Sequence, residues 1–201
     1  MRYIRSELLF APDERPFGRP LSEWTVEWWK WLLSIPKPRN PALDTKNKTF
    51  GISQYNEDVL FIAGTTGGYI EREISIPAGK AILLGVINFT TSYSEEPHLK
   101  NDSDLIARAK SDIDDIVSKD ALIDGEKIND LGDYRISSSP FDLVLPENSL
   151  YGAPPGPTRG ISDGYWLFLK PLTPGKHEII TTGSCSSGKT SVRCTYRFEV
   201  A

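Results

Sequence analysis

Eight residues near the end of the chain, Gly183-Ser184-Cys185-Ser186-Ser187-Gly188-Lys189-Thr190, satisfy the phosphate-loop pattern. Its chemistry needs backbone N–H groups around a phosphate, a lysine on the β/γ oxygens, and a helix starting directly afterwards with its N-terminal dipole toward the anion. Only eleven residues follow Thr190, and in Thr195-Tyr196-Arg197-Phe198-Glu199-Val200 the alternation of Tyr196, Phe198 and Val200 is that of a half-buried strand. No helix fits there, and no later segment can supply a magnesium-binding aspartate. The pattern therefore reads as a β-hairpin tip, and nucleotide binding through Gly183–Thr190 is not expected.

Other residues are candidates for a site. In Tyr69-Ile70-Glu71-Arg72-Glu73-Ile74-Ser75-Ile76, Arg72 shares the parity of Ile70, Ile74 and Ile76, so its guanidinium faces the apolar side. A buried cation needs compensation, here from a carboxylate such as Asp58, Asp142 or Asp163 or from an anionic ligand; a structural ion pair or an outward bulge is the plainer alternative. Asn88 ends a long apolar run and opens a polar cluster, Thr90-Thr91-Ser92-Tyr93, at a strand end where ligands often bind, although turn capping accounts for it equally. His98 lies beside Glu95 and Glu96, and His177 follows the Pro174-Gly175 turn; their separation has no metal-ligand pattern. Glu95 with Glu96 and Asp114 with Asp115 are sequence neighbours whose side chains diverge, which reads as solvated surface. Neither a nucleophile elbow nor a His-Glu-x-x-His motif occurs. No metal and no cofactor are expected.

The two cysteines, Cys185 and Cys194, would face each other if Gly188 to Ser191 formed a four-residue turn. Such a disulfide would stabilise the fold by about 2–3 kcal/mol in an oxidising compartment, and both would be free thiols in a reducing one.

Positioning these residues requires a scaffold. With 201 residues the chain can bury a core as one domain, residues 1–201. Fifteen prolines and sixteen glycines suggest many turns. A net charge of -4 gives no basic stripe for nucleic acid. No run approaches a membrane span, and the start lacks an uninterrupted apolar signal segment, so the expectation is a cytoplasmic protein without a membrane partner.

Residues 22–35 carry four of the five tryptophans and read as a helix with Ser22 as N-cap, stopped by Pro36. It is apolar around most of its girth, so it should be enclosed by protein; an aromatic platform for a sugar is the alternative. Residues 102–119 read as an amphipathic surface helix. Val59–Ala63, Tyr69–Ile76, Ala81–Phe89, Leu122–Ile128 around Asp124-Gly125, Phe141–Leu145, Tyr165–Leu169 and Lys176–Thr182 read as strands, and the end as a meander. Ala81–Phe89, apolar on both parities, should be a sheet centre. Pro146 to Gly164 reads as a long functional loop or flap. The fold class is mainly β, an antiparallel β-sandwich or jelly-roll-like fold with two helical insertions; an α+β sheet with helices on one face is the alternative.

Trp24-x3-Trp28-Trp29-x-Trp31 with Ile35-Pro36 and Asn40-Pro41-x2-Asp44, then Ile76-Pro77-Ala78-Gly79-Lys80-Ala81 leading to Asn88, Tyr134-Arg135 with Ser139-Pro140-Phe141, and Asp163-Gly164-Tyr165-Trp166 with Leu172-x2-Gly175-x-His177, resemble in order a scattered family of bacterial and archaeal proteins. The resemblance implies a shared fold and carries over no activity and no catalytic residue. Members of that family often look exported, which this N-terminus does not match, and the Cys185–Cys194 loop departs from its pattern.

Three functions fit these residues. The first is a non-enzymatic β-sandwich that binds a small polar or carbohydrate-like ligand at strand-end loops, with Arg72, Asn88, His98 and Asp163 as candidate contacts. The second is a hydrolase or isomerase on a jelly-roll-like scaffold using Arg72, His98 or Asp163. The third is an interaction protein presenting exposed tryptophans.

Overall fold

A computed structural model describes residues 3–4, 7–46 and 58–201. The strands are β1 (Tyr3–Ile4), β2 (Val59–Ile62), β3 (Gly68–Ile76), β4 (Ala81–Ser92), β5 (Ile116–Ile123), β6 (Glu126–Ile128), β7 (Arg135–Ser137), β8 (Phe141–Leu145), β9 (Gly156–Leu169), β10 (Gly175–Cys185) and β11 (Ser191–Val200). The helices are α1 (Leu21–Leu33) and α2 (Asp102–Asp114). One sheet runs β1-β6-β5-β10-β11-β3, the other β2-β4-β9-β7 with β8 also on β9. The protein is thus mainly β with helical insertions. Most pairs are antiparallel, while β1 with β6, β3 with β11 and β2 with β4 run parallel.

Alternation explains how the sheets meet. Ile70, Ile74 and Ile76 of β3 and Tyr196, Phe198 and Val200 of β11 turn inward and share one core with Ile82, Leu84 and Leu167 of the second sheet. The opposite parity of that sheet, Val59, Phe61, Ala81, Leu83, Trp166 and Phe168, packs under α1. β4 is therefore covered on both faces, as its unbroken apolar run requires.

Trp24, Trp28, Trp29 and Trp31 are all buried in this second core, the most exposed at 8 %. The Trp24 indole N–H donates to Pro16 O (3.0 Å) and that of Trp28 to Ile62 O (3.1 Å). A partner-binding role consequently has no exposed tryptophan on this helix to use. At the helix end Asn40, 1 % exposed, donates to Leu32 O and Ile35 O (2.8 Å each), closing carbonyls that the helix leaves open. Among the described residues no helix is long and apolar enough to cross a membrane.

Several local expectations are corrected. The cap of α1 is Pro20, without a side-chain hydrogen bond, and Ser22 lies inside the helix. The second helix stops at Asp114 rather than 119, because the β-branched run from Ile116 pairs with β10 from Cys185 to Ile179. The long loop covers only 146–155, since β9 begins at Gly156 and pairs with β8. The chain does not end as a simple meander either: β9 belongs to one sheet and the β10–β11 hairpin to the other.

The disulfide expectation also fails on register. Ser184 pairs with Ser191, so Cys194 stands opposite Thr181 rather than Cys185. Both cysteines are free and buried. Burial raises both thiols above their ordinary value.

Candidate functional site

A bulge in β4 builds the site. β2 pairs with β4 only from Ala81 to Leu84, and one rung later Gly85 faces Trp166 while Ile87 faces Tyr165, leaving Val86 as the extra residue. Val86 and Ile87 are consecutive, yet both enter the core between the sheets. Parity is reversed beyond them, so Asn88 comes to the side of Gly85. A Cβ on Gly85 would lie 2.6–2.7 Å from the Asn88 amide, and one on Gly164 would lie 2.4 Å from Asn88 Cβ. Two glycines thus make room for one asparagine.

Along the β4 edge that β2 leaves open lies a cavity of about 360 Å³. Trp28, Trp29 and Leu32 of α1 wall one side, with Gly64 to Thr66 after β2, Lys189 and Thr190 of the β10–β11 hairpin, Arg108 and Asp112 of α2, Glu95 and Glu96, and Tyr151 closing the rest. Trp29 Nε1 and Asn88 Nδ2 are buried with no hydrogen-bond partner among the described residues. Such orphaned donors are uncommon in folded proteins and call for an acceptor.

The charges around the cavity are unevenly satisfied. Arg108 is held by Glu96 (3.1 Å) and by Asp112 one helical turn away. Glu95 accepts from the Ser92 hydroxyl (2.7 Å) and sends its own backbone N–H to the same oxygen (3.3 Å). Desolvation pushes the Glu95 carboxyl above the usual range, against those hydrogen bonds. Burial and then the Glu95 charge push the Tyr151 phenol up, although nearly half of that residue is exposed.

Of the four candidate ligand contacts, Arg72, Asn88, His98 and Asp163, only Asn88 lines this cavity, together with Thr90, Thr91, Glu95, Glu96, Lys189, Thr190 and Cys194. Arg72 does point inward, at 3 % exposure, but its neighbours are carbonyl oxygens rather than the expected aspartates: Nε donates to Ala63 O (3.1 Å), and Nη2 to Gly64 O (3.1 Å) and Pro41 O. Asp163 is buried in a two-pronged pair with Arg135 (3.1 and 2.7 Å), which also reaches Asp114 (2.7 Å) and so ties α2 and β7 to β9. His98 is exposed, 3.4 Å from Glu96. Glu95, read as solvated surface, is instead half-buried in the cavity wall; its adjacency to Glu96 concealed that the two face different partners.

The phosphate-loop pattern is a hairpin tip. Gly183 to Cys185 are the end of β10, Gly188 adopts φ +67° in the turn, and β11 starts at Ser191. Asp115 occupies the loop, accepting from the Ser186 hydroxyl and from Ser187 N (3.3 Å), and these bonds hold its carboxyl below the usual range. Gly183 serves sheet packing, since a Cβ there would lie 2.7 Å from Ile87 Cβ.

His177 belongs to a clasp distant from the cavity. Nδ1 meets Asp124 Oδ2 at 2.7 Å and Nε2 meets Thr173 O at 2.9 Å. The Thr173 hydroxyl also lies 3.3 Å from Nε2, but the two shorter contacts are to acceptors, and the imidazolium, with an N–H at each nitrogen, satisfies both of these at once. Burial lowers the His177 pKa, but Asp124 and Thr173 outweigh it and the net shift is upward. A raised folded-state value means that this stabilisation is complete below the unfolded value of about 6.5 and is lost as pH rises through the folded one. Urea titrations should show the stability gap between wild type and His177→Gln shrinking by about 1 kcal/mol across that window. A pH-independent gap would remove the imidazolium from the account.

No family model matches the chain, and no curated protein matches it. Among solved structures, that of PbICP-C in complex with falcipain-2 is similar at 12% identity and a TM-score of 0.29, covering 72% of this chain and 99% of that one. The solution structure of Amebosin is similar at 11% identity and a TM-score of 0.21, covering 66% and 96%. Both scores are too low to carry an argument.

Proposed function

We propose that this protein is a binding module for a small polar, carbohydrate-like ligand seated in the cavity beside β4. The observation that carries this reading is that two residues lining the cavity, Trp29 and Asn88, hold buried donors, Nε1 and Nδ2, without a hydrogen-bond partner among the described residues, on a wall that also offers aliphatic, hydroxyl, acidic and basic side chains. Small-molecule sites combine a mostly apolar lining with a few convergent polar groups and have volumes of about 300–1,000 Å³, and the cavity lies at the lower end of that range. The open edge of β4 adds backbone groups of the kind that polyhydroxylated ligands meet well.

The test is calorimetric titration of a panel of monosaccharides into wild type, Asn88→Ala and Trp29→Phe, the last removing the indole N–H while keeping an aromatic ring. A sugar that binds wild type is expected to lose at least about tenfold in affinity in each variant, the cost of one unsatisfied hydrogen bond. Equal affinity in all three proteins would place binding elsewhere.

A further inference from the structure

The charges of the cavity wall narrow the ligand class, an inference that rests on the proposed binding reading. Five charged side chains line the cavity: Glu95, Glu96, Arg108, Asp112 and Lys189. Arg108 is engaged by Glu96 and Asp112. Lys189 sits at the hairpin tip, where its charge acts on Asp115. Glu95 has only the Ser92 hydroxyl and no cation among the described residues. One carboxylate is thus partly withdrawn from water without an ionic partner among the described residues, near Tyr151 and in a cavity that Trp28 and Trp29 also line.

A desolvated carboxylate is costly unless a cation meets it, and the nearby Tyr151 ring adds attraction for a positive charge. On the same wall Trp29 Nε1 and Asn88 Nδ2 call for acceptor oxygens. An ammonium group for Glu95 and oxygen atoms for the two donors occur together in an amine-bearing polyol, whose hydroxyls bring no anionic group to a wall holding three carboxylates. We infer that the ligand is a small amine-bearing polyol of the amino-sugar class, with its ammonium group on Glu95 and its oxygens toward Asn88 and Trp29.

The test compares D-glucosamine with D-glucose by calorimetry at neutral pH, in wild type and in Glu95→Gln. Glutamine keeps an acceptor for the Ser92 hydroxyl and removes only the charge, and thermal melts verify that the variant folds. Wild type is expected to prefer glucosamine by at least about tenfold, and Glu95→Gln to bind both sugars alike. Equal binding of the two sugars by wild type would overturn the ammonium assignment while leaving the cavity as a neutral-sugar site. A preference that survives in Glu95→Gln would overturn Glu95 as its source. Binding of neither sugar would overturn this inference, whereas a neutral monosaccharide from the earlier panel could still uphold the cavity.

Discussion

Gly164→Ala is expected to destabilise the protein by about 3 kcal/mol, the upper end of what overpacking costs, because its added methyl would meet the shortest contact found at any described glycine. The added Cβ would lie 2.4 Å from Asn88 Cβ, 2.5 Å from Asn88 Cα and 3.0 Å from Ile87 O. Two of these are backbone atoms of β4, so no rotamer change relieves the overlap. The strands must separate, and the β4–β9 ladder from Ile87 to Ser92 is what they would break. Gly67→Ala is the control, because a Cβ there meets nothing within 4 Å. Urea denaturation should shift its midpoint sharply for Gly164→Ala and little for Gly67→Ala, with unchanged slope. A loss below about 1 kcal/mol for Gly164→Ala would mean that β4 and β9 are not this close. The substitution also displaces Asn88, so ligand binding should fall together with stability.

Position 164 shows where sequence reasoning stops. A glycine before Tyr165-Trp166 is visible in the chain, but its reason is an asparagine 76 residues earlier, brought opposite by strand pairing. Local signals did well where one segment decides its own structure. The tryptophan spacing located α1, the parity of β3 turned Arg72 inward, and Asp124-Gly125, with φ of 52° and 78°, closed the β5–β6 hairpin. They failed where pairing decides. Ile116 and Val117 fit the arc of a helix as well as a strand, and the β10 partner settles it. Pro157 reads as a loop residue, yet β9 passes through it where only β8 pairs; β4 joins from Gly160 onward, so the missing N–H faces no ladder. The cysteines were misplaced because the hairpin register, Ser184 with Ser191, differs from a turn centred on Gly188 to Ser191.

The candidate site was less legible than the fold for the same reason. Asn88 stood out as a polar residue closing an apolar run, but the Val86 bulge that turns it toward α1 leaves no mark in composition. Trp29 looked like core, and its ring is core; only its buried N–H without a partner among the described residues makes it a candidate contact. Glu95 and Tyr151 come from loops that approach each other solely through β4, β9 and the 146–155 segment.

Arg72→Ala is expected to cost about 3–5 kcal/mol, the combined effect of carbonyls left without donors, at about 1–3 kcal/mol each, and of the void left by a buried side chain. The guanidinium gathers three carbonyls from two places: Ala63 and Gly64 just after β2, and Pro41 in the turn that follows α1. Truncation leaves these oxygens without their donor and opens a void in the buried space that the Arg72 side chain fills. Arg72→Lys should recover little, because one ammonium cannot present the fork that spans Ala63, Gly64 and Pro41. Arg72→Met separates the two contributions: it refills much of the volume but satisfies no carbonyl. If Met restores wild-type stability in urea titrations, packing rather than hydrogen bonding holds this junction. If Met remains within about 1 kcal/mol of Ala, the carbonyls are what Arg72 serves. The same junction carries Gly64 and Ala42 on the cavity wall. Loosening it should therefore weaken ligand binding in Arg72→Met even though Arg72 itself does not line the site.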